Sequence, residues 1–312
     1  MTKKQLMLRE IKRNKVAYAY IAPFYILFLI FGIFPILSGF YISFFRWDGL
    51  GPMRFQGLGN YINLMQDRLF WLSLRNTAFI GIISHVPILL GGLILAYMLN
   101  LKVIKGKNIF KTLYFMPLVT SSVAISIVFR NMFGFNFGTI NYLLSFLGVD
   151  PIGWLIGTGE HIRTAVIIMF SWRWIGWNMV IYLAGMQGIN HDIYEAARVD
   201  GANHVQTFCR ITVPLLKPIV LFTLVQSTIG TLNLFVEPFI LTEGFGGGPN
   251  NRGMTVMMYL LSRAPQGGTL FGYASAIAYV LTIIAMVVSL TLLRISRDDD
   301  KAERKRRRIG GY

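Results

Sequence analysis

The sequence is short of charged residues and nearly without cysteine. Only 14% of its 312 residues are Asp, Glu, Lys or Arg, whereas an average soluble domain has about 25%. Its one cysteine, Cys209, excludes an intramolecular disulfide and a cysteine-based metal cluster. The sequence also lacks a Walker A segment, a dinucleotide motif and any His, Asp and Glu cluster of usable spacing. We therefore expect no catalytic residue, no metal and no cofactor in this chain.

Long apolar runs take the place of the missing charge. A membrane-spanning helix needs roughly 20 apolar residues. Six runs of about this length occur, at 16–45, 76–99, 109–132, 164–187, 215–242 and 272–295. The first is too long for the core of a cleavable signal peptide, and Pro23 and Pro35 are places where it can kink. These runs predict an all-α, polytopic membrane helical bundle with six transmembrane helices.

The basic residues predict the orientation of these helices. They cluster at 3–15, 102–111 and 294–308, and account for most of the net charge of +16. Six spans place all three clusters on one side, which the positive-inside rule makes the cytoplasm. This distribution does not fit a nucleic-acid-binding patch. We expect a basic cytoplasmic N-terminus (1–15), a transmembrane domain (16–295) with a cytoplasmic loop at about 188–214, and a charged cytoplasmic tail (296–312).

The loop at 188–214 has a helical pattern of its own. Asp192 is placed to cap a helix that has Glu195 at its third position. Gly201 is placed to end that helix in a left-handed conformation. A second short helix is expected to begin near Asn203 and to stop at Pro214, which fits the first turn of the next membrane helix. The pattern predicts a helical hairpin at the membrane surface, and a loop that packs on its own bundle fits it equally well.

The hairpin also carries a recognisable motif. Glu195-Ala196-Ala197, three residues, Gly201, nine residues, Ile211, one residue and then Val213-Pro214 resemble the EAA loop of ATP-binding-cassette importer permeases. Val213 stands where that family usually has Leu. In the family this loop docks on the cytoplasmic ATPase. The resemblance implies an ATPase-coupling role for Glu195, Ala196, Ala197, Asp200, Gly201 and Phe208.

Three further segments resemble the carbohydrate-uptake, maltose-type branch of this family. Residues 55–61 are similar to its F-x-G-L-x-N-Y segment, and residues 241–255 to its L-T-x-G-G-P…T loop. The second of these is lengthened here by Gly244-Phe245-Gly246. Residues 271–276 resemble the entry to the last helix of the family. The resemblance thus extends over nearly the whole chain and implies a sugar importer.

Polar and small residues inside the apolar runs are candidates for the solute pathway. Ser227, Gly230, Thr231 and Leu234 have the spacing of one helix face. Matching positions line the sugar site in maltose-type members. The resemblance therefore implies a pathway lined by Gly176, Asn178, Met179, Ser227, Gly230, Thr231 and Leu234, and Glu237 is a further candidate because a carboxylate at membrane depth is costly.

Several charged and aromatic residues have two interpretations. Glu237 either forms a structural pair with Arg173 or Arg130, or takes part in the pathway. The tryptophans at 172, 174 and 177 either stack on sugar rings or pack at the membrane interface. The simplest interpretation of His85 is a hydrogen-bonded core histidine.

The resemblance implies the permease subunit of a binding-protein-dependent importer, without catalytic activity. Its implied partners are a second permease chain of the same or another sequence, two cytoplasmic ATPase subunits, an extracytoplasmic solute-binding protein and the bilayer, but no nucleic acid. We expect a multi-pass protein of the bacterial cytoplasmic membrane with both termini cytoplasmic. The alternatives are an importer of a polyol phosphate, amino acid or peptide, and a secondary transporter, whose paired inverted repeats are not evident here.

Overall fold

The computed structural model describes residues 13–101, 103–263 and 271–309, with side chains as far as Arg294. Much of the predicted basic N-terminus, Lys102 and the side chains of the charged tail lie outside these residues. The chain divides into two units, Met1–Gln66 with Arg263–Tyr279, and Asp67–Ser262 with Val280–Tyr312. The elements of each unit follow separately.

The first unit contains a long apolar helix with a local widening. Helix α1 (Lys15–Phe28) continues through a π-helical turn (Leu29–Ile33) into α2 (Phe34–Ile42). The widening directly precedes Pro35, whose missing N–H interrupts the α-helical hydrogen bonds. Pro23 lies within α1 without interrupting it. The apolar stretch of this helix buries none of its residues, so its surface is suited to lipid or another chain.

A short ordered loop completes the first unit. Strands β1 (Phe45–Arg46) and β2 (Arg54–Phe55) pair antiparallel and precede α3 (Gly59–Gln66). The buried Asn60 amide donates to the carbonyl oxygens of Ser43 and Phe45 at 2.8 and 2.9 Å. Backbone N–H groups of Gly51 and Leu50 donate to Asp48, which lowers the pKa of its carboxyl. These bonds give the family-like segment at 55–61 a structural role.

The second unit contains most of the helices. They are α4 (Arg68–Asn100), α5 (Lys107–Val119), α6 (Ser122–Met132), α7 (Thr139–Ser145), α8 (Ile162–Gln187), α9 (His191–Val199), α10 (His204–Thr207), a π turn (Phe208–Thr212), α11 (Val213–Leu215), α12 (Lys217–Leu232), α13 (Val236–Leu241), a 3₁₀ turn (Pro249–Asn251) and α14 (Val256–Arg263). The last helix, α15 (Phe271–Ile309), begins in the first unit and continues in the second.

The spanning helices agree with the predicted all-α membrane bundle, with two corrections. Four helices are long and apolar enough to cross a membrane, and the described part of the chain has six such spans if two bent pairs each count as one. The third predicted run is bent by 95° between α5 and α6. The fifth, 215–242, is not continuous, because α12 ends at Leu232 and α13 begins at Val236. The chain is extended at Thr120, between α5 and α6, and the first interruption lies there.

Helices α4 and α8 form the core of the second unit. Gly92 allows close approach, since a Cβ atom there would lie 2.8 Å from Cβ of Asn178. Small residues permit such contacts between membrane helices. Two clusters of buried apolar side chains surround this contact, one containing Ile88, Met169 and Phe170, and the other containing Leu93, Met179 and Tyr182. The close packing of α4 and α8 therefore fixes the positions of the residues that lie between the two clusters.

Candidate solute cavity and coupling hairpin

A small cavity lies between α8 and α12. Its volume is about 170 Å³. It is lined by Phe170, Trp174, Trp177, Asn178, Thr223, Gln226, Ser227, Ile229 and Gly230. Both helices belong to apolar segments of spanning length, so the cavity places polar side chains at membrane depth.

The polar groups of this cavity are incompletely paired. The indole Nε1 atoms of Trp174 and Trp177 and the Oδ1 atom of Asn178 are buried and have no hydrogen-bond partner in the described part of the chain. Asn178 donates from Nδ2 to the Trp174 carbonyl oxygen at 3.1 Å. Buried polar groups are normally hydrogen-bonded, and exceptions call for an explanation. Two unpaired donors and one unpaired acceptor thus belong to residues that line the cavity.

Only some of the predicted pathway residues line this cavity. Asn178, Ser227 and Gly230 do so. Gly176 instead packs directly against the backbone carbonyl of Tyr114 on α5. Met179 is fully buried in the apolar cluster. Successive residues of a helix point in different directions, so only part of the predicted stretch of α8 faces α12.

The four residues predicted for one face around α12 do not all line the cavity. Thr231 is buried, and a Cβ atom at Gly81 of α4 would lie 2.8 Å from its methyl group, so it packs toward α4 rather than the cavity. Leu234 lies after the helix end and is buried in an apolar cluster. The early end of α12 breaks the helical spacing between Leu234 and the other three residues. Gln226 and Trp174, which the predicted pathway lacked, lie at the cavity instead.

Glu237 forms a buried ion pair. Its carboxylate accepts a hydrogen bond from Nη1 of Arg173, and the two side chains are 8% and 15% exposed. Arg130 pairs with Glu243 instead. Of the partners considered for Glu237, the structure selects Arg173. The pair joins α13, directly after the break that follows α12, to the middle of α8.

The other singled-out residues have local partners. His85 contacts the Gly81 carbonyl oxygen through Nδ1 and the Thr228 hydroxyl through Nε2, the latter at 3.2 Å, as expected of a hydrogen-bonded histidine. It lines an apolar groove of about 400 Å³ between α4, α12 and α15. Trp172 is about half exposed and packs against Phe129. Of the three tryptophans, Trp174 and Trp177 face the cavity and Trp172 does not.

The predicted hairpin is present, with a different N-cap. Asn190, and not Asp192, caps α9, because its side chain accepts from the Asp192 N–H at 3.1 Å. Gly201 ends this helix with φ of +78°, the left-handed conformation that the sequence predicted. The Ala202 N–H donates to the Ala197 carbonyl oxygen at 2.9 Å, which completes the C-terminal cap.

The second arm of the hairpin extends further than predicted. Asn203 and Gln206 form a reciprocal capping box at the start of α10. The helix does not stop at Pro214. It continues through the π turn and α11 to Leu215, and then bends by 70° into α12. Pro218, not Pro214, occupies the first turn of the membrane helix.

The hairpin residues divide between an exposed and a packed side. Glu195, Ala196, Asp200 and Gly201 are exposed, together with Val199 at 87%. Ala197 is buried, and Phe208 packs with its ring 5.0 Å from that of Tyr97 on α4. The Tyr97 hydroxyl also donates to the His204 carbonyl oxygen at 3.1 Å. The predicted coupling set therefore combines a free surface with contacts that fasten the hairpin to α4.

Apolar helices of spanning length around a polar cavity, with an exposed hairpin at one end, define a multi-pass membrane protein of the transport class. The family model for binding-protein-dependent transport system inner membrane components matches residues 88–297. This match covers more than half of the 312 residues. The chain belongs to this family.

Relatives of known description align over nearly the full chain. A lactose transport system permease protein of Rhizobium radiobacter is 38% identical over 282 residues, covering 89% of this chain and 93% of the relative. An arabinooligosaccharides transport system permease protein of Bacillus subtilis is 37% identical over 300 residues, covering 94% and 93%. Both relatives are named as permease proteins of sugar transport systems.

A solved structure has a similar fold. The crystal structure of a bacterial alginate ABC transporter, in complex with its pentasaccharide-bound periplasmic protein, contains a chain with a TM-score of 0.77 and 25% identity to this one. The similarity covers 93% of this chain and 96% of the other. The helical order described above is therefore that of an importer permease.

Proposed function

We propose that this chain is the permease subunit of an ABC importer for a saccharide, and that the cavity between α8 and α12 is its solute site. The observation that carries the proposal is the pair of buried, unpaired indole N–H groups beside Asn178 and Ser227. A saccharide hydroxyl can accept from the indoles and donate to Asn178, while the C–H face of the sugar ring packs on the tryptophans. The relatives named for lactose and arabinooligosaccharides support this solute class.

The hairpin supports a separate energy source. Its exposed side, Glu195 to Ala196 and Asp200 to Gly201, offers a docking surface for a cytoplasmic ATPase subunit. Two such subunits, a second permease chain of the same or another sequence and an extracytoplasmic binding protein complete the assembly. This chain itself contributes no ATP hydrolysis and holds no cofactor. With the hairpin in the cytoplasm, both termini are cytoplasmic, and residues 16–295 form the membrane domain between the basic ends.

The proposal is tested by uptake into proteoliposomes. The complex is purified with its binding protein and ATPase chains and assayed with lactose, arabinotriose, maltose, a polyol phosphate and an amino acid. We expect a saccharide to stimulate both ATP hydrolysis and its own uptake. Stimulation by the polyol phosphate or the amino acid alone would contradict the proposed solute class.

The site is tested by filling the cavity. An added Cβ atom at Gly230 meets nothing within 4 Å, so the ring of Gly230→Trp should fill part of the cavity without straining the backbone. We expect normal membrane levels and loss of saccharide uptake. Phe222→Trp, on an exposed position of the same helix, is the matched control and should transport normally. Normal uptake by Gly230→Trp would remove the cavity from the pathway.

A further inference from the structure

A second and larger cleft lies at the other end of α8 from the hairpin. Its volume is about 900 Å³, within the range of small-molecule binding sites. Its walls come from the end of α6 with the loop after it, the segment 155–157, and the end of α13 with the loop after it. Helix α8 begins shortly after residue 157, and its 26 residues, about 39 Å, separate the cleft from the hairpin. Under the proposed orientation, the cleft opens to the outside.

A buried amide fixes two walls of this cleft. Asn141 on α7 is 6% exposed and donates to the carbonyl oxygens of Phe135 and Ile152 at 3.1 and 3.0 Å. Its Oδ1 atom accepts from the indole N–H of Trp154 at 2.9 Å. The loop after α6 is thereby tied to the segment before α8. A wall fixed by buried hydrogen bonds is preorganised for binding, since less flexibility is lost when a ligand enters.

An ion pair on a strained backbone lines the cleft. Glu243 has φ of +57°, the left-handed conformation that is unfavourable for a residue with a side chain. Its carboxylate pairs with Arg130, and both side chains remain partly exposed. Strained residues of this kind concentrate at binding sites. Because the pair has no net charge but offers both donors and acceptors, it suits a neutral ligand with many hydroxyl groups.

The rim of the cleft carries an exposed aromatic ring. Phe137 is 98% exposed and is one of the residues that line the cleft. Asn131 and Asn136 line the same cleft. An aromatic face beside amides that donate and accept matches the two faces of a sugar ring, one apolar and one hydroxylated. A protein interface would instead have an apolar, desolvated centre.

We propose that this cleft is an entry site that receives the saccharide before it reaches the inner cavity. Phe137 packs against a sugar ring, and the Arg130 and Glu243 pair bonds its hydroxyl groups. This inference rests on the proposed function, because it takes the solute class from it. It adds a second site, at the outer end of the helices, to the one between α8 and α12.

The test measures saccharide binding to the assembled transporter in nanodiscs without binding protein. Saturation-transfer NMR with lactose and arabinotriose is recorded in the Gly230→Trp background, in which the inner cavity is filled. We expect binding to persist there and Phe137→Ala to weaken it about tenfold, the scale of one lost aromatic contact. Phe146→Ala, which removes a ring that is 70% exposed outside the cleft lining, is the matched control and should bind normally.

A second variant separates binding from folding. Glu243→Gly removes the carboxylate and relieves the positive φ, so the chain should be at least as stable while saccharide binding weakens. Unchanged binding in both Phe137→Ala and Glu243→Gly would overturn the entry site. Weaker binding of the binding protein with unchanged saccharide binding would also overturn it, and would make the cleft a protein-docking surface. If the wild type takes up no saccharide at all, the proposed function fails instead.

Discussion

At the scale of single residues, we expect the largest loss of stability from breaking the ion pair between Arg173 and Glu237. Both side chains are largely buried among apolar helices, and Nε of Arg173 has no partner in the described residues. Burying two charges costs several kcal/mol, which their attraction and hydrogen bonds offset. Removing one partner leaves the other charge without compensation. We therefore expect the pair to hold α13 in position without adding net stability to the fold.

Glu237→Gln is expected to destabilise the protein by about 3–5 kcal/mol, because Arg173 stays buried without a counter-charge. The measurement is thermal unfolding of the purified complex in detergent. Replacing both residues, Arg173→Met with Glu237→Leu, removes both desolvation costs and should recover most of the stability. A double variant as unstable as Glu237→Gln would show that the pair does more than neutralise charge.

Tyr97 is expected to tie the hairpin to the membrane helices. Tyr97→Phe keeps the ring contact with Phe208 but removes the hydrogen bond to the His204 carbonyl oxygen. A single net hydrogen bond is worth about 1 kcal/mol, so we expect a loss of about two- to fivefold in saccharide transported per ATP. The two rates are measured together in proteoliposomes. An unchanged ratio in Tyr97→Phe with a reduced ratio in Tyr97→Ala would assign the role to the ring alone.

At the scale of elements, the hairpin is stabilised by its own helix caps and has one exposed side. Caps at Asn190, Gly201 and Asn203 close both short helices. The contacts of Glu195 with His191 and Arg198 are 3.7 Å long and exposed, so they contribute little to stability. The exposed side can thus be altered without disturbing the fold.

Glu195→Lys and Gly201→Asp are expected to leave membrane levels normal and to abolish solute-stimulated ATP hydrolysis together with uptake. An added Cβ atom at Gly201 meets nothing within 4 Å, so the cost in the chain is only that of the left-handed backbone, roughly 1 kcal/mol. Immunoblots of membranes and the two activity assays check this.

Gly201→Asn is the matched control for the hairpin prediction. Asparagine tolerates the left-handed conformation better than most residues and carries no charge. We expect this variant to retain more transport than Gly201→Asp. Absence of either charged variant from the membrane would make the hairpin a folding element, and full transport by both would contradict docking at this surface.

At the scale of the whole molecule, an even number of spans determines which groups share a side. We expect the hairpin and the first loop, which contains Leu50, on opposite sides of the membrane, because three of the predicted spans lie between them in the sequence. The exposed Cys209 reports the hairpin side without any mutation. Leu50 is 99% exposed and suits a second reporter.

We expect an impermeant thiol reagent added to intact cells to label Leu50→Cys in a Cys209→Ser background, and to leave Cys209 of the wild type unlabelled. Inverted vesicles should give the reverse result. Labelling of both positions from the same side would contradict six spans with both termini in the cytoplasm. A mass shift on the purified chain measures the labelling.

The sequence by itself determined the membrane class, the number of apolar segments and the hairpin. Exposing polar groups to lipid is costly, so each membrane-spanning segment needs a continuous run of apolar residues. Such a run is visible in the sequence without knowledge of the fold. The left-handed Gly201 and the start of the second short helix near Asn203 follow from local backbone chemistry. For the same reason, the π turn falls beside Pro35, where a kink was expected.

The tertiary structure alone decided which polar residues share a cavity. Thr231 faces Gly81 of α4 and Ser227 faces the cavity, although their spacing places them near one another on α12. Helix α12 ends at Leu232, and the helix that follows it is joined to α8 by the pair of Arg173 and Glu237, residues 64 positions apart. Burying an ion pair costs desolvation free energy, and the attraction between the two charges offsets that cost only if the partner residue is in place. The partner comes from another helix, so its position depends on how the whole unit packs. No periodicity along one segment contains this information.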